Sequence, residues 1–182
     1  EPIALSGGTI HTISKGDVEN GIILFEKGKI KSIGQNINLP ENTKIIDIKG
    51  KHVYPGLIAS FSGLGLTEIS AIRSTNDFSG VGSIKPNVRA DVAFNPDSEN
   101  IPVTRANGVL LALSVPLGGL ISGTSALMML DGWTWETMTL KAPLGLHLFW
   151  PSMKVTYQPE AQKSPEEQKK AIDDELKKIN DA

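Results

Sequence analysis

The sequence predicts an α/β protein in which a small β layer precedes buried strands and helices. Residues 1–57 contain short strands with period-two alternation, separated by glycine turns. After Pro55-Gly56, apolar runs without alternation appear, and one of them follows a helical segment. Such runs are typical of strands buried on both faces of a parallel sheet. A length of 182 residues suits one domain, but this change divides the chain into segments 1–57 and 58–182.

The first segment is predicted to be an antiparallel β layer with little helix. The predicted strands are 9–13, 21–26, 29–33, 45–48 and 52–54. Lys27-Gly28 is predicted to be the turn between the second and third strands, because glycine adopts positive φ without steric cost. Residues 29–33 alternate polar and apolar side chains, as a half-buried strand does.

The second segment is predicted to alternate helix and buried strand. The predicted buried strands are 57–61, 109–115 and 144–150. A helix is predicted over 98–107, with Pro102 in its first turn and Asn107-Gly108 as its stop signal. A helix followed by a buried strand indicates parallel pairing.

The last predicted helix begins with strong signals. Ser164 is the expected N-cap, Pro165 occupies the first helical position, and acids follow in the first turn. Its apolar side is formed by Ala171, Ile172, Leu176 and Ile179. No capping glycine precedes the end at Ala182, and the chain starts at Glu1 rather than methionine. We therefore expect a longer parent protein in which this helix continues.

Composition excludes several classes of protein. A hydrophobic fraction of 40% and a charged fraction of 21% are those of a folded chain rather than a disordered one. A net charge of −2 gives no electrostatic reason to expect nucleic acid. No apolar run reaches the ~18 residues of a membrane span. The absence of cysteine excludes disulfides, thiolate metal sites and cysteine nucleophiles.

The order of three pieces resembles the N-terminus of the amidohydrolase superfamily, in particular its imidazolonepropionase-like branch. The pieces are 7–13, 20–34 and 46–58, and they span about the first third of the chain. The resemblance implies a composite β-sandwich built from N- and C-terminal strands. It also implies that Pro55-Gly56-Leu57-Ile58 leads into strand one of a metal-dependent (β/α)₈ barrel, incomplete here because a full barrel takes ~250 residues.

In that family, strand one ends in His-x-His, and both imidazoles bind a divalent metal that lowers the pKa of a bound water. In this sequence Ala59 stands where the usual acid occurs, and Phe61 and Gly63 stand where the histidines occur. Neither Phe61 nor Gly63 can bind a metal. The resemblance therefore implies no metal site in this chain, and a zinc-like metal in the parent held by ligands beyond Ala182.

The middle of the chain, 67–151, resembles a subgroup of the same family that often lacks the first-strand histidines. Its members are commonly exported proteins of Gram-negative bacteria. This resemblance implies a periplasmic or secreted location, with the cytoplasm as the alternative.

Candidate site residues lie mostly in predicted loops and strand ends, where barrel enzymes build their sites. The catalytic candidates are His147, Asp77 and Arg73, and the substrate-binding candidates are Asn76, Asn95, Arg105, Ser122 and Thr124. Each has a structural alternative: a hydrogen-bonded core histidine for His147, and ion pairing, turn formation or helix capping for the loop residues. His11 and His52 make no local metal spacing.

Two further features carry weaker signals. Gly118-Gly119, followed by Ser122-Gly123-Thr124-Ser125, resembles an anion-binding loop with free backbone N–H groups, but it lacks the lysine of a P-loop. Trp133, Trp135 and Trp150 could stack on a sugar or base, although packing in the core is the favoured interpretation.

Two functional hypotheses remain open. In the first, the chain is the N-terminal part of a hydrolase that cleaves C–N bonds of a small-molecule substrate, and it is inactive alone. In the second, it belongs to a binding or scaffold protein that kept the fold and lost the metal. In either case the first sheet would lack strands, and its open edges would promote self-association.

Overall fold

A computed structural model describes residues 1–155 and 163–181 of the chain. The chain divides into two compact units, Glu1–Gly56 and Leu57–Ala182. Each unit contains one mixed β-sheet, and the described helices are few and lie in the second unit. The predicted α/β class is therefore confirmed.

The first unit is a five-stranded sheet built around its first strand. Its strands are β1 (Ile3–His11), β2 (Asp17–Glu26), β3 (Lys29–Gly34), β4 (Lys44–Asp47) and β5 (His52–Val53). β1 pairs antiparallel with β2, and β2 pairs antiparallel with β3 across a turn in which Lys27 and Gly28 have φ of 51° and 72°. That turn was predicted correctly.

The prediction of a wholly antiparallel layer is wrong, because β1 pairs parallel with both β4 and β5. Residues 35–43 cross from β3 at one edge to the other side of β1, so the chain re-enters the sheet in the direction of β1. Ala4, Ile10 and Ile23 are buried in this sheet at no more than 3% exposure.

Within its described residues, the second unit carries a four-stranded sheet and three α-helices. Its elements are β6 (Leu57–Ser62), a 3₁₀ turn (Arg73–Thr75), α1 (Asn100–Ala106), β7 (Val109–Ser114), β8 (Ile121–Met129), α2 (Trp135–Met138), β9 (Thr139–Leu148) and α3 (Pro165–Asn180). The sheet order is β6-β7-β8-β9.

Strand direction in this sheet follows the length of each connection. β6 and β7 are parallel and joined through α1, as predicted. β7 pairs antiparallel with β8, and β8 pairs antiparallel with β9. β8 was not among the predicted strands, and it departs from the expected parallel architecture. The six residues between β7 and β8 cannot form the crossover of a dozen or more residues that a parallel pair needs.

The core of the second unit lies on one face of the sheet. It is formed by Leu66, Ala90, Phe94, Ile101, Ala112, Ala126, Met128, Leu130 and Met138. The prediction that 57–61 is buried on both faces is wrong, because Leu57, Ile58 and Phe61 are 57–61% exposed. Their run is apolar on both faces, and the described residues leave part of each face exposed. The predicted burial of 109–115 and 144–150 fails likewise at Leu110 and Leu146.

α3 begins as the sequence predicts. The Ser164 hydroxyl accepts a hydrogen bond from the Glu167 backbone N–H, and the Ser164 backbone N–H donates to Glu167 Oε2 at 2.8 Å. This reciprocal capping box satisfies two N–H groups that the helix cannot satisfy internally. Among the helices that the structure describes, none is long and apolar enough to cross a membrane.

The helical content of α3 is expected to fall on acidification. Hydrogen bonds from the Ser164 backbone N–H and then from its hydroxyl hold the pKa of Glu167 below its usual 4.5. The ionised carboxylate therefore stabilises α3 above pH 4.5, and this contribution is lost as the pH falls through the lowered value. Circular dichroism at 222 nm from pH 7 to about 3 should show this loss in the wild type and less of it in Glu167→Gln.

Glu166→Gln is the matched control, because it removes a charge from the same helical turn without removing a capping hydrogen bond. Equal pH profiles for Glu167→Gln and the wild type would contradict the proposed role of the cap.

Candidate functional site

Three strands of the second sheet point the same way and end at one edge. Since β8 is antiparallel to both neighbours, β6, β7 and β9 run in one direction, and we call the edge at Ser62, Ser114 and Leu148 the carboxyl edge. Ligand sites of α/β folds lie outside the carboxyl ends of parallel strands. We therefore expect a ligand or active site at the carboxyl edge.

The connections at the carboxyl edge are joined by hydrogen bonds. The Val115 N–H donates to the Ser62 carbonyl at 2.9 Å, and the Phe149 N–H donates to the Leu120 carbonyl at 2.9 Å. The Ser114 hydroxyl, fully buried, donates to the Leu64 carbonyl at 2.9 Å. These bonds fix the segments that follow the strands against one another.

Aromatic rings line part of this edge. Phe61 of β6 meets Phe149 edge to face at 6.5 Å between ring centroids, and Phe149 stacks against His147 at 6.5 Å. β6 and β9 are the two outer strands of the sheet, so the sheet curves enough to bring its outer strands together at this end. His147 Nε2 is buried and has no hydrogen-bond partner among the described residues. The structural alternative for His147, a hydrogen-bonded core histidine, does not hold for this atom.

The loop that follows β6 contains three of the sequence candidates. Asn76 serves the loop itself, because its side-chain amide donates to the carbonyls of Ser70 and Ile72 at 3.1 and 3.0 Å. Arg73 lies in the 3₁₀ turn, is exposed, and forms no ion pair with a described residue. The carboxylate of Asp77 is exposed, and its backbone N–H donates to the Leu66 carbonyl at 2.7 Å.

Glu68 is a residue that the sequence analysis missed. Its half-buried carboxylate accepts hydrogen bonds from Ser98 Oγ at 2.9 Å, Asn95 Nδ2 at 3.2 Å and Asn100 Nδ2 at 3.4 Å. These partners lie 27–32 residues away in sequence, so no local pattern could reveal the cluster. The candidate Asn95 is thereby held by Glu68, which ties the loop after β6 to the start of α1.

Glu68→Ala is expected to destabilise the second unit by about 1–3 kcal/mol, because three donors lose a charged acceptor. Urea unfolding followed by tryptophan fluorescence measures this unit, since Trp133, Trp135 and Trp150 all lie in it. Glu99→Ala removes a nearby exposed acid and should change stability by less than about 0.5 kcal/mol. A Glu68→Ala protein as stable as Glu99→Ala would show that the cluster does not hold the loop.

Arg105 lies apart from the other candidates, at the end of α1. It pairs with Asp131 and donates to the Leu130 carbonyl at 3.2 Å, just beyond the end of β8. It lines a pocket of about 240 Å³, below the roughly 300–1,000 Å³ of ligand pockets. The structure therefore gives Arg105 a pairing role and leaves it away from the carboxyl edge.

The candidates on β8 are built into the sheet. Ser122 is fully buried, and its hydroxyl has no partner among the described residues. The Thr124 hydroxyl donates to the Val88 carbonyl at 3.2 Å. The prediction that the tryptophans pack in the core is wrong for Trp133 and Trp150, which are 91% and 57% exposed. It is confirmed for Trp135, which packs against the core.

Two histidines that are 41 residues apart meet in the first unit. Pairing of β1 with β5 brings His11 Nε2 to 3.0 Å from His52 Nδ1. The other ring nitrogen of His11 lies 2.9 Å from an Asp17 carboxylate oxygen, and Tyr54 stacks on His11 at 4.2 Å. Even so, no set of three His, Cys, Asp or Glu residues within 1–155 and 163–181 is arranged to hold a metal.

Comparison with known proteins yields a structural match. No family model and no curated protein matches the sequence. The fold resembles that of an amidohydrolase from Thermotoga maritima, with a TM-score of 0.75 and 26% identity over 80% of this chain. This likeness supports the amidohydrolase superfamily. The chain covers 38% of that protein, which is less than half of its length.

Two other solved structures align less well. A prolidase crystallised with N-methylphosphonate-L-proline has 17% identity, a TM-score of 0.41, and coverage of 62% of this chain and 25% of its own. A D-hydantoinase has 30% identity, a TM-score of 0.32, and coverage of 38% and 15%. Likeness at these TM-scores supports no inference about this amidohydrolase-like chain.

The amidohydrolase superfamily implies a divalent metal, and the described residues do not fit one. Phe61 offers a hydrocarbon ring and Gly63 no side chain, so the end of β6 supplies no donor. His147 Nε2 has no hydrogen-bond partner among the described residues and could bind a metal. A catalytic zinc, however, needs three protein ligands, and this nitrogen is only one.

Proposed function

We propose that this chain is the N-terminal part of an amidohydrolase-superfamily hydrolase, of the imidazolonepropionase-like branch, that cleaves carbon–nitrogen bonds other than peptide bonds. The observation that carries the proposal is the TM-score of 0.75, with 26% identity, to the Thermotoga maritima amidohydrolase. In this proposal residues 1–57 contribute to a composite β-sandwich, and 58–182 form the first part of a (β/α)₈ barrel.

The proposed division of roles follows the geometry of the carboxyl edge. His147 and the exposed loop residues Arg73 and Asp77 would face a small-molecule substrate, because all follow or end strands that terminate there. The metal-activated water that the family uses would require ligands outside the described residues. The isolated chain is therefore proposed to be inactive.

Activity of the chain and of its longer parent tests this proposal. Both proteins are purified, analysed for bound metal, and assayed against cyclic amides, cyclic ureas and N-acyl compounds. Turnover and stoichiometric metal in the parent, with neither in the chain, is the expected result. Turnover by the chain alone would overturn the proposed division.

A binding or scaffold protein derived from the same fold is the second candidate. It is favoured by Phe61 and Gly63, which occupy the positions of the first-strand histidines and carry no ligand atoms. A fully folded, metal-free parent that binds a small molecule without hydrolysing it would select this function.

Location and assembly are further parts of the proposal. A periplasmic or secreted parent is supported by the resemblance of 67–151 to exported proteins, with a cytoplasmic parent as the alternative; cell fractionation distinguishes them. Self-association of the chain through the open edges of the first sheet is supported by Ile30 of β3 and Ile45 of β4, which are 57% and 61% exposed on outer strands of that sheet. A monodisperse monomer in solution scattering would contradict it.

A further inference from the structure

Lys85 is a buried lysine without a counter-ion. It is 4% exposed, and its ammonium donates to the Gly80 carbonyl at 3.1 Å. Across the parts of the chain that the structure describes, no carboxylate lies within ion-pair distance of it. An ammonium group has three donors, and burying an unpaired charge is costly, so such groups are rarely left without a partner.

Asp91, a second buried charged residue in the same connection, has an oppositely charged partner. Asp91 is 3% exposed and forms an ion pair with Arg89. A hydrogen bond from Arg89 to Asp91, and then the charge of Asp91, raise the pKa of Arg89. Lys85 has the burial of Asp91 but lacks an equivalent partner.

The backbone fixes Lys85 beside the Gly118-Gly119 turn at the carboxyl edge. The Lys85 N–H donates to the Ile121 carbonyl at 2.8 Å, and Ile84 bridges to Ile121 at the start of β8. Gly118 and Gly119 lie three and two residues before Ile121 and have φ of +83° and +78°. Lys85 thus lies near a glycine turn that has no lysine in its own sequence.

Glycine at residue 118 lets the Ser79 hydroxyl and the Lys85 ammonium lie close to the backbone of the turn. A Cβ on Gly118 would lie 2.7 Å from Ser79 Oγ and 3.8 Å from Lys85 Nζ. Ser79, Gly118 and Gly119 are exposed, whereas Lys85 is buried. The N–H groups of Gly118 and Gly119 find no acceptor within 1–155 and 163–181.

We propose that Lys85, Ser79 and the Gly118-Gly119 turn form a binding site for a small oxyanion, a carboxylate or a phosphate group. An oxyanion placed there supplies the charge that Lys85 lacks and accepts from the free backbone N–H groups and the Ser79 hydroxyl. The proposal does not depend on hydrolase activity, because every group in it belongs to this chain.

Titration of the whole chain with inorganic phosphate, and separately with succinate, tests the site. Ionic strength is held constant with sodium chloride, and backbone amide resonances are followed by NMR. Saturable shifts at Gly118 and Gly119 are expected with at least one anion, and the anion that acts identifies the group bound. The absence of saturable shifts at both glycines with both anions would overturn the proposal.

Variants separate the site from general charge effects. Lys85→Met keeps the length of the side chain, removes the charge, and should weaken binding about tenfold or more, the size expected for a charged hydrogen bond. Lys154→Met removes an exposed lysine of the same unit and should leave binding unchanged. Equal binding by wild type and Lys85→Met would refute the site. If Lys85→Met does not fold, the titrations of the wild type and of Ser79→Ala still test the site. The Ser79 side chain is exposed, and Ser79→Ala should bind the anion more weakly than the wild type.

Discussion

Replacement of Phe94 by alanine is expected to lower the free energy of unfolding of the second unit by about 3–5 kcal/mol. Phe94 is 3% exposed and belongs to the core on the covered face of the sheet. The ring packs against Gly65, which has φ of +75°. A Cβ on residue 65 would lie only 2.4 Å from two ring atoms of Phe94, so the ring fits there because residue 65 is glycine. The well-packed site cannot collapse easily, and a cavity would remain.

Urea unfolding monitored by tryptophan fluorescence gives the free energy of unfolding of the second unit alone, because all three tryptophans lie in it. Phe61→Ala is the matched control, since it removes the same ring from a position that is 59% exposed. Its expected cost is below about 1 kcal/mol, most of it from the lost edge contact with Phe149. Equal losses for Phe94→Ala and Phe61→Ala would mean that the core is not where the structure places it.

Gly123→Ala is expected to cost roughly 2–5 kcal/mol, from backbone strain and a steric clash together. Gly123 has φ of +122°, and a Cβ there would lie 2.5 Å from the Val88 carbonyl oxygen. Val88 cannot move away freely, because its carbonyl accepts from the Thr124 N–H and the Ala90 N–H donates to the Thr124 carbonyl. Relief of the clash would therefore break the bridge between this segment and β8.

Gly82→Ala separates the two contributions. Gly82 has φ of +93° with nothing within 4 Å of the Cβ position, so only the strain of about 1–2 kcal/mol applies. Fluorescence-monitored urea unfolding of both variants should give the larger loss for Gly123→Ala. A loss no greater than that of Gly82→Ala would show that the Val88 segment yields without cost.

Local signals predicted the local elements of this chain well. The turn at Lys27-Gly28, the helix 98–107 and the Ser164 cap depend on residues a few positions apart, and the structure confirms each. The same holds for the parallel pair β6 and β7, because the connection between them, 63–108, is long enough for a crossover and contains α1.

Burial and site geometry were predicted less well. An apolar run such as 57–61 looks the same whether or not other segments cover its faces, and the described residues leave Leu57, Ile58 and Phe61 exposed. The Glu68 cluster, the contact between His11 and His52, and the burial of Lys85 beside Gly118 join residues 27–41 positions apart. No short-range pattern records contacts over such separations.

The sequence by itself determined the α/β class, the helix ends, the hairpin turn and the resemblance of the front of the chain to an amidohydrolase. Only the tertiary structure decided which charges are paired and which strand ends share an edge. The reason is physical: propensities and caps act within a turn or two, whereas the environment of a charge depends on every segment that folds against it. Asp91 and Lys85 lie six residues apart with similar burial, and among the described residues only Asp91 has an oppositely charged partner.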